Sequence, residues 1–238
     1  MPDLRRHRGA RLRRLADEQA ALRRVATLVA RGVSPEELFS AVSDEVGRLF
    51  DAEAAIARFE CDGSAMVVVG LTEGIPVVSI GTRWPLEEFL ASTEVYRTGR
   101  PARNEHTGFQ DAAGPVADSL RKMSFTSTVA APIAVEGKLW GVMTVSHRLK
   151  ALPADTEERV ENFTELVAAA IANAASRAEL AASEARAQEL AREQAGLRRV
   201  ATLVAKDANA DEATPAAPFA STISPTPRAS MPSRATRA

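Results

Sequence analysis

The chain has one cysteine among its 238 residues, Cys61. No disulfide can therefore form within it, which suits a reducing cytoplasm. No apolar run approaches the ~20 residues that span a bilayer, so no membrane span is expected. No charged start leads into an apolar h-region, and Arg5-Arg6 is not followed by the apolar core of an export signal. A formal net charge of −1 gives no reason to expect nucleic acid as a partner. A cytoplasmic protein is the default expectation.

What is present is an ordinary globular composition, 45% hydrophobic and 26% charged, sufficient for one domain with extensions. Residues 1–31 carry nine arginines against Asp3, Asp17 and Glu18. Such a stretch reads as a solvated basic helix face. Its most informative feature is that it recurs. Leu15–Gly32 (LADEQAALRRVATLVARG) and Leu190–Asp207 (LAREQAGLRRVATLVAKD) differ only at Asp17/Arg192, Ala21/Gly196, Arg31/Lys206 and Gly32/Asp207, at an offset of 190 − 15 = 175 residues. Spacing of that size marks the segment as the opening of a module, with a second module announced after the repeat. The stretch from 208 to 238 instead has five prolines and few aliphatic side chains, and is expected to be disordered.

Between the copies, Ser34-Pro35-Glu36-Glu37 is a capping box opening a helix over 35–50, with Leu38, Val42, Val46 and Leu49 on one face. Ala54–Cys61 and Ala65–Leu71 predict a hairpin around Asp62-Gly63. Val77–Gly81 is a shorter strand candidate, and Leu86–Arg97 a helix stopped by Gly99 and Pro101. A loop through Asp111 and a short helix to about Met123 follow. Thr126–Val135 and Lys138–His147 predict a second hairpin around Glu136-Gly137, apolar on both faces and therefore central. Asp155 and Glu158 form a capping box for the exit helix. Its apolar stripe runs through Val160, Phe163, Val167, Ala170 and Ala174, then Leu190, Leu197 and Val204. A homodimer seam along the last three, joined by Leu15, Leu22 and Val29, is the expected cover.

The order helix, hairpin, strand, helices, hairpin, long helix resembles GAF domains. TSTVAAPIAVEGKLWGVMTV (126–145) is similar to the GAF signature, in which a strand ends on a small-residue–Pro pair, turns at a Gly and returns through Leu-x-Gly. TGRPAR (98–103), DAAGPVADSL (111–120) and LPADTEERVENFTELVAAAIANA (152–174) look like GAF modules of actinobacterial sensor histidine kinases. The resemblance implies an α+β fold with a central antiparallel sheet of about five to six strands and helices on both faces, flanked by long N- and C-terminal helices. The expected layout is a connector helix over 1–33, a GAF domain over 34–175, a signalling helix over 176–207 and the tail from 208 to 238.

Catalysis is not expected. His7, His106 and His147 are the only histidines, and none lies in a phosphoacceptor-like context. Gly196 is the only glycine after Gly141, so a Gly-rich ATP lid is missing. The expectation is a non-catalytic signal-input or dimerisation module, with a sensor kinase as partner. The alternative is the truncated remnant of a multidomain sensor kinase. By resemblance, a small ligand sits between the sheet and the segment Trp84–Phe125. Candidate pocket residues are Trp84, Phe89, Tyr96, His106 and Phe109, with Arg83, Arg103 or His106 orienting a modest organic ligand whose identity is unknown. Neither a metal nor a cofactor is expected. Haem through His106 would use one imidazole without a second ligand. Bilin attachment needs a cysteine in the segment joining the hairpins, whereas Cys61 falls at a hairpin tip. A redox enzyme would need more thiols than Cys61 alone.

Overall fold

The structure, a computed structural model, describes residues 2–75, 77–105 and 113–212, with side chains from 12 to 202 within those bounds. His106, Phe109 and the tail beyond 212 lie outside the described residues. The elements run α1 (Pro2–Arg31), α2 (Pro35–Phe50), β1 (Glu53–Phe59), β2 (Ala65–Leu71), β3 (Arg83–Pro85), α3 (Ala91–Thr98), β4 (Ala102–Glu105), α4 (Pro115–Met123), β5 (Ser127–Val135), β6 (Lys138–His147) and α5 (Thr156–Glu212). The chain divides into two compact units, Met1–Ala182 and Ser183–Ala238. The second consists, among the described residues, of the continuation of α5.

Within the first unit one antiparallel sheet has the order β3-β2-β1-β6-β5-β4. Local chemistry explains its frame. Ser34 caps α2 by accepting from the Glu37 amide at 3.2 Å, with Pro35 in the first turn. The β5–β6 turn places Glu136 and Gly137 at φ 51° and 76°, the pair of positive values that a tight two-residue hairpin demands. The β1–β2 connection is longer than the two-residue turn expected. It closes on the Glu60 amide donating to the Ala65 carbonyl, and Asp62 Oδ1 accepts from the Ser64 amide inside it. At Gly141 a Cβ would stand 2.3 Å from the Ala57 carbonyl oxygen, so β6 can lie this close to β1 only with glycine there.

Alternation along the central strands sends side chains to two cores. Val129, Ile133, Met143 and Val145 meet Leu38, Val42 and Val46 of α2, Val160, Phe163 and Val167 of α5, and Ala21 and Val25 of α1. Ala130 and Val142 point the other way, toward Trp84, Val95 of α3 and Leu120 and Met123 of α4. Helices thus cover both faces.

Four expectations are corrected. Val77–Gly81 forms no strand: Val77 and Gly81 have φ of 74° and 89°, and Thr82 closes a turn on Ser79. Arg83–Pro85 pairs with β2 instead, Trp84 opposite Met66. The helix expected from Leu86 begins at Ala91, because Glu87 and Leu90 are held in turns. Residues 102–105, expected as loop, pair with β5. Leu22 and Val29, assigned by sequence to an intermolecular seam, pack against the first core of their own domain.

Candidate ligand cavity

The second face of the sheet is not filled. Alanines at 55, 57 and 91 stand where larger side chains would close the space between sheet, α3 and α4, and a cavity of about 110 Å³ remains. One water needs roughly 10–15 Å³ on such a measure, so the space holds several waters or a small organic group. Its wall is mostly apolar: Met66, Val68, Trp84, Leu120, Met123 and Phe125 contribute.

A row of hydroxyls interrupts that wall. Thr128 of β5 lies opposite Ser146 of β6 in the strand register, and their oxygens are 2.7 Å apart. Thr144, two residues before Ser146, lines the cavity beside them. Ser92 and Asn104 add polar groups from α3 and β4, and Asn104 Nδ2 donates to the Phe89 carbonyl. Among the described lining residues the one ionisable group is Glu53, whose Oε1 accepts from Arg148 Nε at 2.5 Å. Arg148 also donates to the Met123 carbonyl at 2.7 Å and lies 5.3 Å from the Phe125 ring centre. The charge of Glu53 is thereby matched locally. The described wall residues offer a neutral surface with hydrogen-bonding groups along one strand pair.

Of the residues singled out in the sequence, Trp84 lines this cavity and is buried. Phe89 packs, half-buried, against the same core. Tyr96 is turned away: it is exposed and meets Phe59 edge-on at 5.0 Å. Neither arginine is directed at the cavity. Arg83 grips both oxygens of Glu60 at 2.9 and 2.7 Å and fastens β3 to the hairpin loop. Arg103 makes a two-pronged pair with Glu157, both contacts 2.7 Å, and also donates to the carbonyls of Leu152 and Pro153. Those bonds tie β4 to the start of α5 and hold the Glu157 carboxyl below its ordinary range. His147 is buried, its Nδ1 accepting from the amides of Leu149 and Lys150. Cys61 is exposed and is not part of the cavity wall. The sequence reading missed Thr128, Thr144, Ser146 and Asn104. The signal was a set of hydroxyls at period two on otherwise apolar central strands.

Among the described residues no group of three His, Cys, Asp or Glu side chains converges on a metal-sized space. A family model for the GAF domain matches residues 34–174. No curated protein matches the chain. Solved structures match its fold. The GAF domain of a phosphoenolpyruvate-protein phosphotransferase from Coxiella burnetii is 16% identical, with 69% of this chain and 98% of that one covered, at a TM-score of 0.57. The phycocyanobilin-bound GAF domain of a cyanobacterial phytochrome is 20% identical, covering 66% and 94%, at 0.54. Residues 122 to 287 of a methyl-accepting chemotaxis protein are 15% identical, covering 63% and 96%, at 0.52. A thiol-linked bilin does not fit this chain, because its one thiol stands on the hairpin loop outside the cavity wall.

Proposed function

The chain belongs to the GAF domain family, and from that premise we propose that it is a signal-input module that senses a small, uncharged organic molecule. GAF domains are regulatory sensing modules. The observation that carries the reading is the cavity itself: an apolar wall, a hydroxyl row at Thr128, Thr144 and Ser146, and a carboxylate already matched by Arg148. An ionic ligand would find no unmatched charge among the described wall residues. A flat, mainly apolar molecule with one or two hydrogen-bonding groups would bury its body against Trp84 and Met66. At ~25 cal/mol per Å², each 100 Å² of apolar surface so buried is worth roughly 2.5 kcal/mol.

The sheet supplies a route from cavity to exit helix. Thr144 and Ser146 face the cavity, while Met143 and Val145 between them pack in the core that seats Val160, Phe163 and Val167 of α5. A ligand that shifts β6 therefore acts on the seat of α5. The output partner we assign is a sensor-kinase-type protein, on the resemblance of 98–103, 111–120 and 152–174 to the GAF modules of such kinases.

The test is a thermal-shift screen of small neutral aromatics and heterocycles on the full chain, repeated on Ala57→Leu, which fills the cavity floor. We expect a compound that raises Tm of the parent and leaves Ala57→Leu unmoved. Thr128→Val should weaken it by roughly tenfold, the loss of one neutral hydrogen bond of ~1 kcal/mol or slightly more. Equal response of parent and Ala57→Leu would sink the assignment to this cavity.

A further inference from the structure

The surface that α1 turns to its own domain is defined contact by contact. Ala21 and Val25 are buried in the first core. Glu18 accepts from Arg159 Nε of α5 at 2.7 Å, and Arg24 Nε donates to Glu45 Oε1 of α2 at 2.9 Å. Glu45 and Arg159 are themselves largely buried. The seat is therefore an apolar strip with one fixed cation and one fixed anion beside it.

Leu190–Asp207 repeats this docking surface. Glu18, Leu22, Arg24 and Val25 recur as Glu193, Leu197, Arg199 and Val200. The one change at a buried position, Ala21 to Gly196, removes a methyl group and adds no volume. Yet Leu190, Leu197 and Val200 are exposed. A symmetric parallel seam between two such helices would set Glu193 against its own copy inside the apolar stripe, where like charges repel. The α1 seat instead offers Arg159 to Glu193 and Glu45 to Arg199. What the repeat lacks is the turn: Gly32, at φ 66°, ends α1 before Val33 and Ser34, whereas Asp207 lies within a helix that continues to Glu212.

We propose that Leu190–Asp207 is a second docking helix for the α1 seat, and that its occupant is the α2–α5 face of a second copy of this chain. It seats there when that copy's own α1 has left. Two factors make the exchange conditional. The resident α1 is tethered to its seat by three residues, Gly32 to Ser34, which gives it a high effective concentration. Gly196 also lowers the helix propensity of the competitor relative to Ala21. Each chain both gives a helix and receives one, so the exchange closes as a twofold dimer.

Sedimentation of the full chain tests this. Val25→Asp, which ejects α1, should tighten self-association at least tenfold over the parent, although it damages a buried apolar site. Adding Val200→Asp should return the chain to the parent's level. A single variant no more associated than the parent, or a double variant as associated as the single, overturns the proposal. A second measurement leaves α1 intact. In a Cys61→Ser background, chains carrying Arg199→Cys are mixed with chains carrying Glu45→Cys under mild oxidation. A mixed disulfide should form, and at least tenfold more slowly when Val200→Asp is added to the Arg199→Cys chain. Its absence, or indifference to Val200→Asp, counts against seat exchange whatever the first experiment shows.

Discussion

Val25 is 1% exposed and its counterpart Val200 is 59% exposed, although the eighteen-residue segments that carry them differ at only four positions. Both segments are helical. Intrinsic propensity therefore does not separate them, and neither does the amphipathic pattern. What separates them is supply. The first copy meets Leu38, Val42 and Val46 of α2 and Val160 and Phe163 of α5, with Arg159 and Glu45 placed for its charges. The second has no such surface among its described neighbours. An apolar stripe on a helix states what kind of partner it needs, and only the rest of the fold states whether that partner is on the same chain.

The sharpest way to break this comparison is to make one substitution in both copies. Val25→Asp should cost about 3 kcal/mol in urea denaturation of the full chain, because a carboxylate is forced into an apolar seat. Val200→Asp should change folding stability by less than about 0.5 kcal/mol, as expected of an exposed helix position. Similar losses at both sites would mean that the second copy is seated too. Glycine gives the next contrast. Gly141→Ala sets a Cβ against the Ala57 carbonyl at 2.3 Å, and rigid backbone on both sides leaves about 2–3 kcal/mol of overpacking. Gly196→Ala meets nothing within 4 Å and should stabilise the helix by about 0.5–1 kcal/mol. Circular dichroism melts on the two variants, moving in opposite directions, would bear this out. A tolerated Gly141→Ala would mean that β1 and β6 can separate at no cost.

Most of the architecture was legible because its signals are local. Ser34-Pro35 with Glu37, the positive-φ pair at Glu136-Gly137 and the alternation along β5 and β6 each fix an element without reference to distant residues. The exit helix was legible for the same reason, since Thr156 begins it where Asp155 was expected to cap it. Where pairing partners decide, legibility fails. Ala102-Arg103-Asn104-Glu105 has no strand-like alternation and becomes β4 only because the edge of β5 is open to it. Val77–Gly81 has the aliphatic content of a strand but carries two positive φ values. The site divides in the same way. Trp84 is conspicuous in composition and lies in the cavity wall. Arg83 and Arg103 are equally conspicuous, but Glu60 and Glu157, distant in sequence, hold them elsewhere. The hydroxyl row was hidden because threonine and serine are ordinary strand residues until the register sets Thr128 beside Ser146.

The smallest expected effect sharpens the comparison within α5 itself, whose first turns are docked. Glu157 and Glu161 lie four residues apart and are pushed in opposite directions. The hydrogen bonds from Arg103 lower the Glu157 carboxyl below its ordinary 4.5. Burial, then the neighbouring Glu165 and Glu158, raises that of Glu161 above it. The signs follow from proton binding. For Glu157 the native state binds fewer protons than the unfolded chain below about pH 4.5, so its contribution is full above that value. It is lost as pH falls through the lowered native value. For Glu161 the native state binds more protons above 4.5. Its ionised form therefore opposes folding at neutral pH, and that opposition is relieved as pH falls through the raised value. Acidifying from pH 7 should thus meet a shallow gain before the loss sets in. Urea midpoints collected from pH 7 to pH 3 should show the early gain vanish in Glu161→Gln and the late loss flatten in Glu157→Gln. Arg103→Ala should flatten the late loss in the same way, since it removes the cause of the lowered value. If Glu157→Gln and Arg103→Ala leave the acid limb unchanged, the β4–α5 tie seen in the structure does not operate in solution, and the docked half of α5 is held by its apolar stripe and the Arg159–Glu18 pair.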